Sequence, residues 1–337
     1  MPIDVIHYRS LFPVTESSIY MNHAAVSPIS RRVRDAMVGL LDDVHQSGAE
    51  HWQAWMERYD AVRRSLAQLL NAEPGEIAFA KNTSEGISTF ANGLDWQPGD
   101  EVVSIEGEFP ANYYAWKALE RLGEACAAHG CLLFVDAIQG LGAFPVDVRR
   151  AKIAGLAADG HKWMLGPEGS ALLYVNRQVM ERITPSELGW TSVRHWADFS
   201  RRDLIWRNDA CRYECGTLNT VGVYGLGAAV NLLLEVGIPN IAERVLDLTD
   251  RLRGGLLAQG HSVFGPRARE EASGIVSFVP RQGGAEGLLE RFFAQRVQVA
   301  ARGGMIRISP HFYNTEEEVD RVLEISRGVE EVEKSRS

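Results

Sequence analysis

Apolar residues recur at three- and four-residue spacing through RRVRDAMVGLLDDVHQSG and again through AVRRSLAQLL. That spacing puts them on one face of a helix and predicts helix across residues 31–70. EPGEIAFA reads as a turn followed by a short strand, and Asn82-Thr-Ser-Glu-Gly86 as a loop that opens a helix running to about Leu94. EVVSI follows the turn signal QPGD and reads as a strand. ALERLGEACAAHG predicts a helix closed by Gly130. CLLFVD is a short, almost wholly apolar run ended by an acid, the pattern of a parallel strand buried on both faces. GSALLYV reads as another strand and VGVYGLGAAVNLLLEVG as a long helix rich in small residues.

Strands alternate with helices to about residue 235, which predicts an α/β domain with a mostly parallel sheet. The order then changes. A helix over residues 239–259 is followed by SGIVSFVP, a further helix, VQVAA, MIRISP and a last helix opened by the capping-box pattern Thr315-Glu-Glu-Glu318. This predicts a smaller α+β domain. The expected division is a large domain of residues 15–237 and a small one of 238–337 joined by 1–14.

Charge and composition narrow the function. The 337 residues carry 35 Lys plus Arg and 44 Asp plus Glu, a formal net charge of −9, with 45% hydrophobic residues. That balance suits a globular protein and argues against a general nucleic-acid binder, which needs clustered cations. No stretch approaches the length of a membrane span, and MPIDVIHYRSLFPV lacks the pattern of a signal peptide. Cys126, Cys131, Cys211 and Cys215 do not form a C-x-x-C pair. Reduced thiols and a cytoplasmic location are expected, with no metal site.

The candidate chemistry lies in Phe134-Val-Asp-Ala-Ile-Gln139 and Asp159-Gly-His-Lys-Trp163. Asp136 ends an expected strand, and ligands of open α/β sheets bind beyond such ends. Taken alone, the Asp136–Lys162 pair reads as a loop cap and a surface lysine. Pyridoxal phosphate needs both groups, a lysine to hold it and an Asp to keep its ring nitrogen protonated. Thr83 and Ser84 offer hydroxyls and N–H groups at a helix start, an arrangement that holds phosphate and equally serves as an ordinary N-cap. Arg307, in an apolar strand, requires an anion, either a substrate carboxylate or a structural Asp or Glu.

Together these stretches resemble the class V aminotransferase family of fold type I pyridoxal-phosphate enzymes. That group includes cysteine desulfurases, kynureninases and isopenicillin-N-epimerase-like proteins. The resemblance runs from about Tyr20 to Glu324. It is carried by Tyr20-Met-Asn-His-Ala-Ala, Asn82–Gly86, Glu108-Phe-Pro-Ala-Asn112, VDAIQ, DGHKW, Cys215-Gly-Thr-Leu-Asn219 and RISPHFYNT. It implies that Lys162 forms the Schiff base with the cofactor and moves the α-proton. Asp136 would pair with the ring nitrogen, Gln139 with the ring 3-oxygen, and Thr83, Ser84 and His161 with the phosphate. Phe109 would stack on the ring, and Thr217 would reach the phosphate of a second subunit, implying a homodimer with shared active sites. Arg307 would clamp the substrate carboxylate, with Asn22 and His23 lining the substrate side; His23 is equally readable as a structural histidine. Pocket specificity is expected from Trp190, Thr191 and Tyr313.

Two departures from the family are visible. Desulfurases carry a nucleophilic Cys on a loop just before the carboxylate-binding Arg, whereas Val297-Gln-Val-Ala-Ala-Arg-Gly-Gly-Met-Ile-Arg307 has none. The chain also runs from Trp116-Lys117 straight into ALERLGEACAAHG, omitting about one strand–helix–strand unit. The expected activity is aminotransfer on an amino acid or small amine. Elimination and epimerisation are alternatives that start from the same carbanion, and a truncated non-catalytic relative is a third. Gly225-Leu-Gly227 lies inside a helical stretch and does not support a dinucleotide site, and no H-E-x-x-H, Walker A or G-x-S-x-G pattern occurs.

Overall fold

A computed structural model describes residues 3–101, 130–265 and 268–327. Phe109, the expected strand EVVSI beyond Glu101, the expected helix before Gly130 and the C-terminal KSRS lie outside the described residues.

In chain order the regular elements are α1 (Val5–Arg9), β1 (Ile19–Tyr20), α2 (Arg31–Ser47), α3 (Trp52–Leu70), β2 (Ile77–Ala80), α4 (Thr83–Gly93), β3 (Phe134–Asp136), β4 (Gly155–Asp159) and β5 (Ala171–Val175). They continue as α5 (Thr220–Val236), α6 (Ile238–Ala258), β6 (Ser262–Val263), β7 (Val276–Val279), α7 (Gly284–Ala294), β8 (Val297–Gln298), β9 (Ala300–Arg302), β10 (Met305–Ile308) and α8 (Glu316–Ser326). The helix expected over 31–70 is two helices. Gly48, at φ +56°, closes α2 and returns its N–H to Val44. Among the described residues no single helix is long and apolar enough to cross a membrane.

The chain divides into two compact units. One holds residues 29–101 and 130–235, the other residues 3–28 and 236–327. Residues 15–28 belong to the second unit because β1 pairs in parallel with β8 and Asn22 bridges to Ser309.

The first unit carries a sheet in the order β2-β5-β4-β3. β3 and β4 are parallel, while β5 runs antiparallel to both β4 and β2. β5 reverses because only a short turn, residues 160–170, separates it from β4, too little chain for a helical crossover. β4 and β5 are buried throughout. β3 is less covered than its apolar sequence predicts: Phe134 is half-buried and the Asp136 side chain exposed. The physical reason is position, since among the described residues β3 has a strand neighbour on one edge only.

A buried ion pair ties this unit together. Arg63 of α3 lies within 2.8 Å of Glu214, with both side chains under 10% exposed. Glu214 also accepts the Phe79 N–H of β2 at 2.8 Å, and the Arg63 guanidinium sits 4.5 Å from the Phe79 ring centre.

The second unit is built on an antiparallel sheet in the order β6-β7-β10-β9. Leu252 and Leu256 of α6, Phe278 of β7, Phe292 of α7, Ile306 and Ile308 of β10 and Val322 of α8 form its core. The capping box expected at Thr315 is present. The Thr315 hydroxyl accepts the Glu318 N–H, and the Glu318 carboxylate accepts the Thr315 N–H at 3.1 Å.

Arg63→Ala strands the Glu214 carboxylate in the interior. Removing one partner of such a pair costs about 3–5 kcal/mol. A clear drop in the denaturation midpoint is the expected result, and an unchanged midpoint would contradict the role given to the pair.

Candidate functional site

Register places three catalytic-looking segments on one edge of the first sheet. Because β3 and β4 are parallel, their carboxyl ends share that edge. Asp159 at the end of β4 pairs with Ala171, and Ala171 pairs with Ala80 at the end of β2. Three stretches therefore leave the sheet together: Lys81-Asn82-Thr83 into α4, Asp136-Ala-Ile-Gln139, and Asp159-Gly-His-Lys162.

The start of α4 is set by Asn82, whose side chain accepts the Glu85 N–H at 2.9 Å. The opening N–H groups of any helix lack intrahelical acceptors, and the helix dipole favours an anion beside them. Thr83 is buried, and its Oγ1 accepts the Asp159 N–H at 3.0 Å. With one lone pair used in this way, the hydroxyl hydrogen remains for a second acceptor. Ser84 is exposed on the same first turn.

Asp136 Oδ1 accepts the Ile138 N–H at 3.0 Å. Partial burial raises the Asp136 pKa above the usual carboxylate range, opposed by the Ile138 N–H and the charge of Lys162. Lys162 is partly buried in the turn after β4. Gln139 is buried, and its Oε1 accepts the Trp163 indole N–H at 3.1 Å. That bond assigns the carbonyl end of the amide to Trp163 and leaves the NH2 end as the donor for any other partner. The two loops also touch through their backbones. A Cβ on Gly142, at φ +103°, would fall 2.3 Å from the Trp163 carbonyl oxygen.

Sequence reasoning missed Asp159 and Trp163. Both stand in the DGHKW motif, but their partners are far along the chain. Asp159 is 5% exposed, and its Oδ1 lies 3.0 Å from His161 Nδ1. Among the described residues, neither atom has a partner in hydrogen-bonding geometry.

In the second unit, Arg307 alternates with Ile306 and Ile308 and so faces away from the apolar core. It is only 4% exposed nonetheless. Nη2 donates to Asn22 Oδ1 at a long 3.4 Å, and Nε has no hydrogen-bond partner among the described residues. Burial and the nearby Arg302 charge push its pKa down. His23 is fully buried, with Nδ1 2.8 Å from the Ser309 carbonyl and Nε2 2.7 Å from the Tyr313 hydroxyl. The carbonyl can only accept, so Nδ1 carries the proton and Nε2 accepts from Tyr313. Burial, then the charge of His311, holds His23 well below the usual histidine pKa, so it stays neutral. Tyr313 is stacked at 3.9 Å on Phe12 and fully buried, which makes it part of the unit's interior. Thr217 is exposed. β9 and β10 are joined by Gly303-Gly304 alone, at φ +54° and +77°, a two-residue turn requiring left-handed backbone at both positions. Among the described residues no group of three His, Cys, Asp or Glu side chains is placed to hold a metal.

The family model for Aminotransferase class-V matches residues 19–126 and 117–322, and the chain belongs to that family. A probable cysteine desulfurase of Pyrococcus abyssi is 28% identical over 403 positions, covering 99% of this chain and 98% of that protein. An uncharacterized aminotransferase of Bacillus subtilis is 24% identical over 363 positions, covering 94% and 96%. A solved structure described as a C-DES mutant with glycine covalently linked to its PLP cofactor shares the fold. It has a TM-score of 0.82 and 20% identity, covering 94% of this chain and 98% of its own. The 403-position alignment exceeds the 337 residues here, so that relative carries dozens of residues with no counterpart. The two segments matched by the family model meet at 117–126, where the sequence runs from Lys117 directly into ALERLGEACAAHG.

Trp163→Phe removes the donor to the buried Gln139 carbonyl. The expected cost is about 1–3 kcal/mol in unfolding free energy, measured by chemical denaturation. A loss confined to the few tenths typical of a surface change would place the indole bond outside the stability of this loop.

Proposed function

We propose that the chain is a pyridoxal-phosphate-dependent enzyme that transfers the amino group of an amino acid or small amine. The observation that carries this reading is the shared sheet edge. Asp136 and the Lys162 turn leave the carboxyl ends of adjacent parallel strands, and Thr83 meets that same edge through Asp159.

The residues fit the cofactor. The α4 N-terminus and the Thr83 hydroxyl suit a phosphate. Asp136, with its pKa raised, lacks the cationic partner that a protonated ring nitrogen would be. The orphaned Nε of buried Arg307 suits a carboxylate. When bound, pyridoxal phosphate supplies a protonated ring that draws electrons from the substrate α-carbon.

Each residue then has a task. Asp136 keeps the ring nitrogen protonated by charge pairing. Gln139, held at its carbonyl end by Trp163, donates its NH2 to the ring 3-oxygen. Thr83, Ser84 and His161 would bind the phosphate. Lys162 holds the cofactor through Nζ and, once displaced by substrate, carries the α-proton on that atom. Arg307 binds the substrate carboxylate beside Asn22, while neutral His23 braces the Ser309 segment. The two-glycine turn before β10 leaves no loop for a thiol at the position where desulfurases carry their nucleophilic Cys, which favours aminotransfer over desulfuration.

A homodimer completes the reading, with Thr217 serving the partner subunit. Trp52, Trp190, Trp196 and Phe199 support it. Trp52, Trp190 and Phe199 are exposed and Trp196 is half-buried, and Trp196 lies 5.6 Å from Trp190 and 6.4 Å from Trp52, ring centre to ring centre. This is an aromatic surface of the kind that interfaces cover. The thiols of Cys211 and Cys215 suit a cytoplasmic setting.

Added pyridoxal phosphate should give the purified protein a visible absorption band that borohydride bleaches and that Lys162→Ala lacks. Failure of the wild type to form the band would sink the cofactor assignment. Arg307→Gln should keep the band and raise KM for amino acids at least about tenfold; an unchanged KM would remove Arg307 from the carboxylate role. Light scattering should return a dimer, and a monomer would rule out the shared site.

A further inference from the structure

We propose that Asp159 is a positioning residue for the cofactor phosphate: its buried carboxylate holds the His161 ring at Nδ1 and so aims Nε2 at the phosphate beside Thr83. This rests on the pyridoxal-phosphate reading above.

Asp159 is 5% exposed, and Oδ1 has no hydrogen-bond partner. An isolated buried carboxylate is costly. The group that can compensate it is His161, whose Nδ1 is 3.0 Å from Oδ1 and equally without a partner in hydrogen-bonding geometry. Two orphaned atoms of complementary type thus face each other at bonding distance, and a small turn of the imidazole aligns them. Once Nδ1–H is engaged by the carboxylate, Nε2 is the remaining ring nitrogen, and the orientation of the ring is fixed.

The main chain of Asp159 makes a second link. Its N–H occupies the Thr83 oxygen at 3.0 Å, which commits the Thr83 hydroxyl hydrogen to another acceptor. One residue therefore sets two donors of the phosphate site, Thr83 through its backbone and His161 through its carboxylate. Without the contact to His161, the carboxylate would be an unpaired negative charge near a phosphate.

The test compares binding of pyridoxal phosphate and of pyridoxal, which lacks the phosphate, to apo-protein. The proteins are wild type, Asp159→Asn, His161→Gln and the double variant. Asp159→Asn keeps the backbone bond to Thr83, and Asp159→Ser serves as a second replacement. Both should weaken pyridoxal phosphate about tenfold or more and leave pyridoxal within about twofold. The double variant should bind like His161→Gln alone, because Asp159 acts through the imidazole. Equal losses for both ligands, an unchanged affinity ratio, or additive losses in the double variant would each overturn the proposal. A wild type that binds neither ligand overturns the cofactor reading itself, whereas wild-type binding with an indifferent Asp159→Asn overturns only the role of Asp159.

Discussion

The Glu214 carboxylate is the fixed point of the first unit. It is buried and shared between the Arg63 guanidinium of α3 and the Phe79 N–H of β2. Burial alone would lower the Arg63 pKa, yet the Glu214 charge raises it above the ordinary arginine value, so the guanidinium stays charged. Such a pair adds little stability over well-packed apolar residues, but breaking it is severe. Its consequence here is alignment. β2 runs directly into the α4 start that offers Thr83, and Glu214 runs directly into Cys215-Gly-Thr217. One carboxylate therefore sets the origin of two segments assigned to phosphate binding, although they are more than 130 residues apart in sequence.

From that origin, strand register does the rest. A sheet permits shifts only in steps that exchange its faces, so buried strands such as β4 and β5 hold their pairing firmly. The row Ala80–Ala171–Asp159 is fixed in this way, and Asp136 is placed by its pairing with Ala157. The polar groups at the strand ends are then locked to one another by single bonds, Thr83 to Asp159 and Gln139 to Trp163. The site edge is rigid because the buried strands behind it cannot slip.

Much of this was legible in the sequence because the motifs are contiguous. VDAIQ and DGHKW each carry a strand end and the turn after it, so the acid and the lysine could be paired before any coordinates. Partners brought in from a distance were not legible. Asp159 had no role of its own within its motif until Thr83, 76 residues earlier, was seen to accept its N–H. Tyr313 had the character of a pocket residue, but its ring stacks on Phe12 and its hydroxyl goes to His23. The helix pattern ran unbroken over 31–70 because periodicity does not register a change of direction; Gly48 supplies it with a positive φ. Arg307 was recognisable as a charge in an apolar strand, but only the coordinates show that its Nε has no hydrogen-bond partner among the described residues.

The relatives divide by name between aminotransferase and desulfurase, and family membership does not separate the two. The local backbone bears on the difference. A nucleophile that must reach substrate needs a loop long enough to carry it, and between β9 and β10 two glycines leave no such length. The dozens of relative residues without a counterpart pose the opposite question, whether the site survives their loss. Thr83, Asp136 and Lys162 all issue from β2, β3 and β4, and these strands are joined through β5 without a gap. The break in the family match, at 117–126, falls in the connection before β3 and outside that set. The edge that carries Thr83, Asp136 and Lys162 is thus built from strands that pair with one another without the residues the relative has in addition.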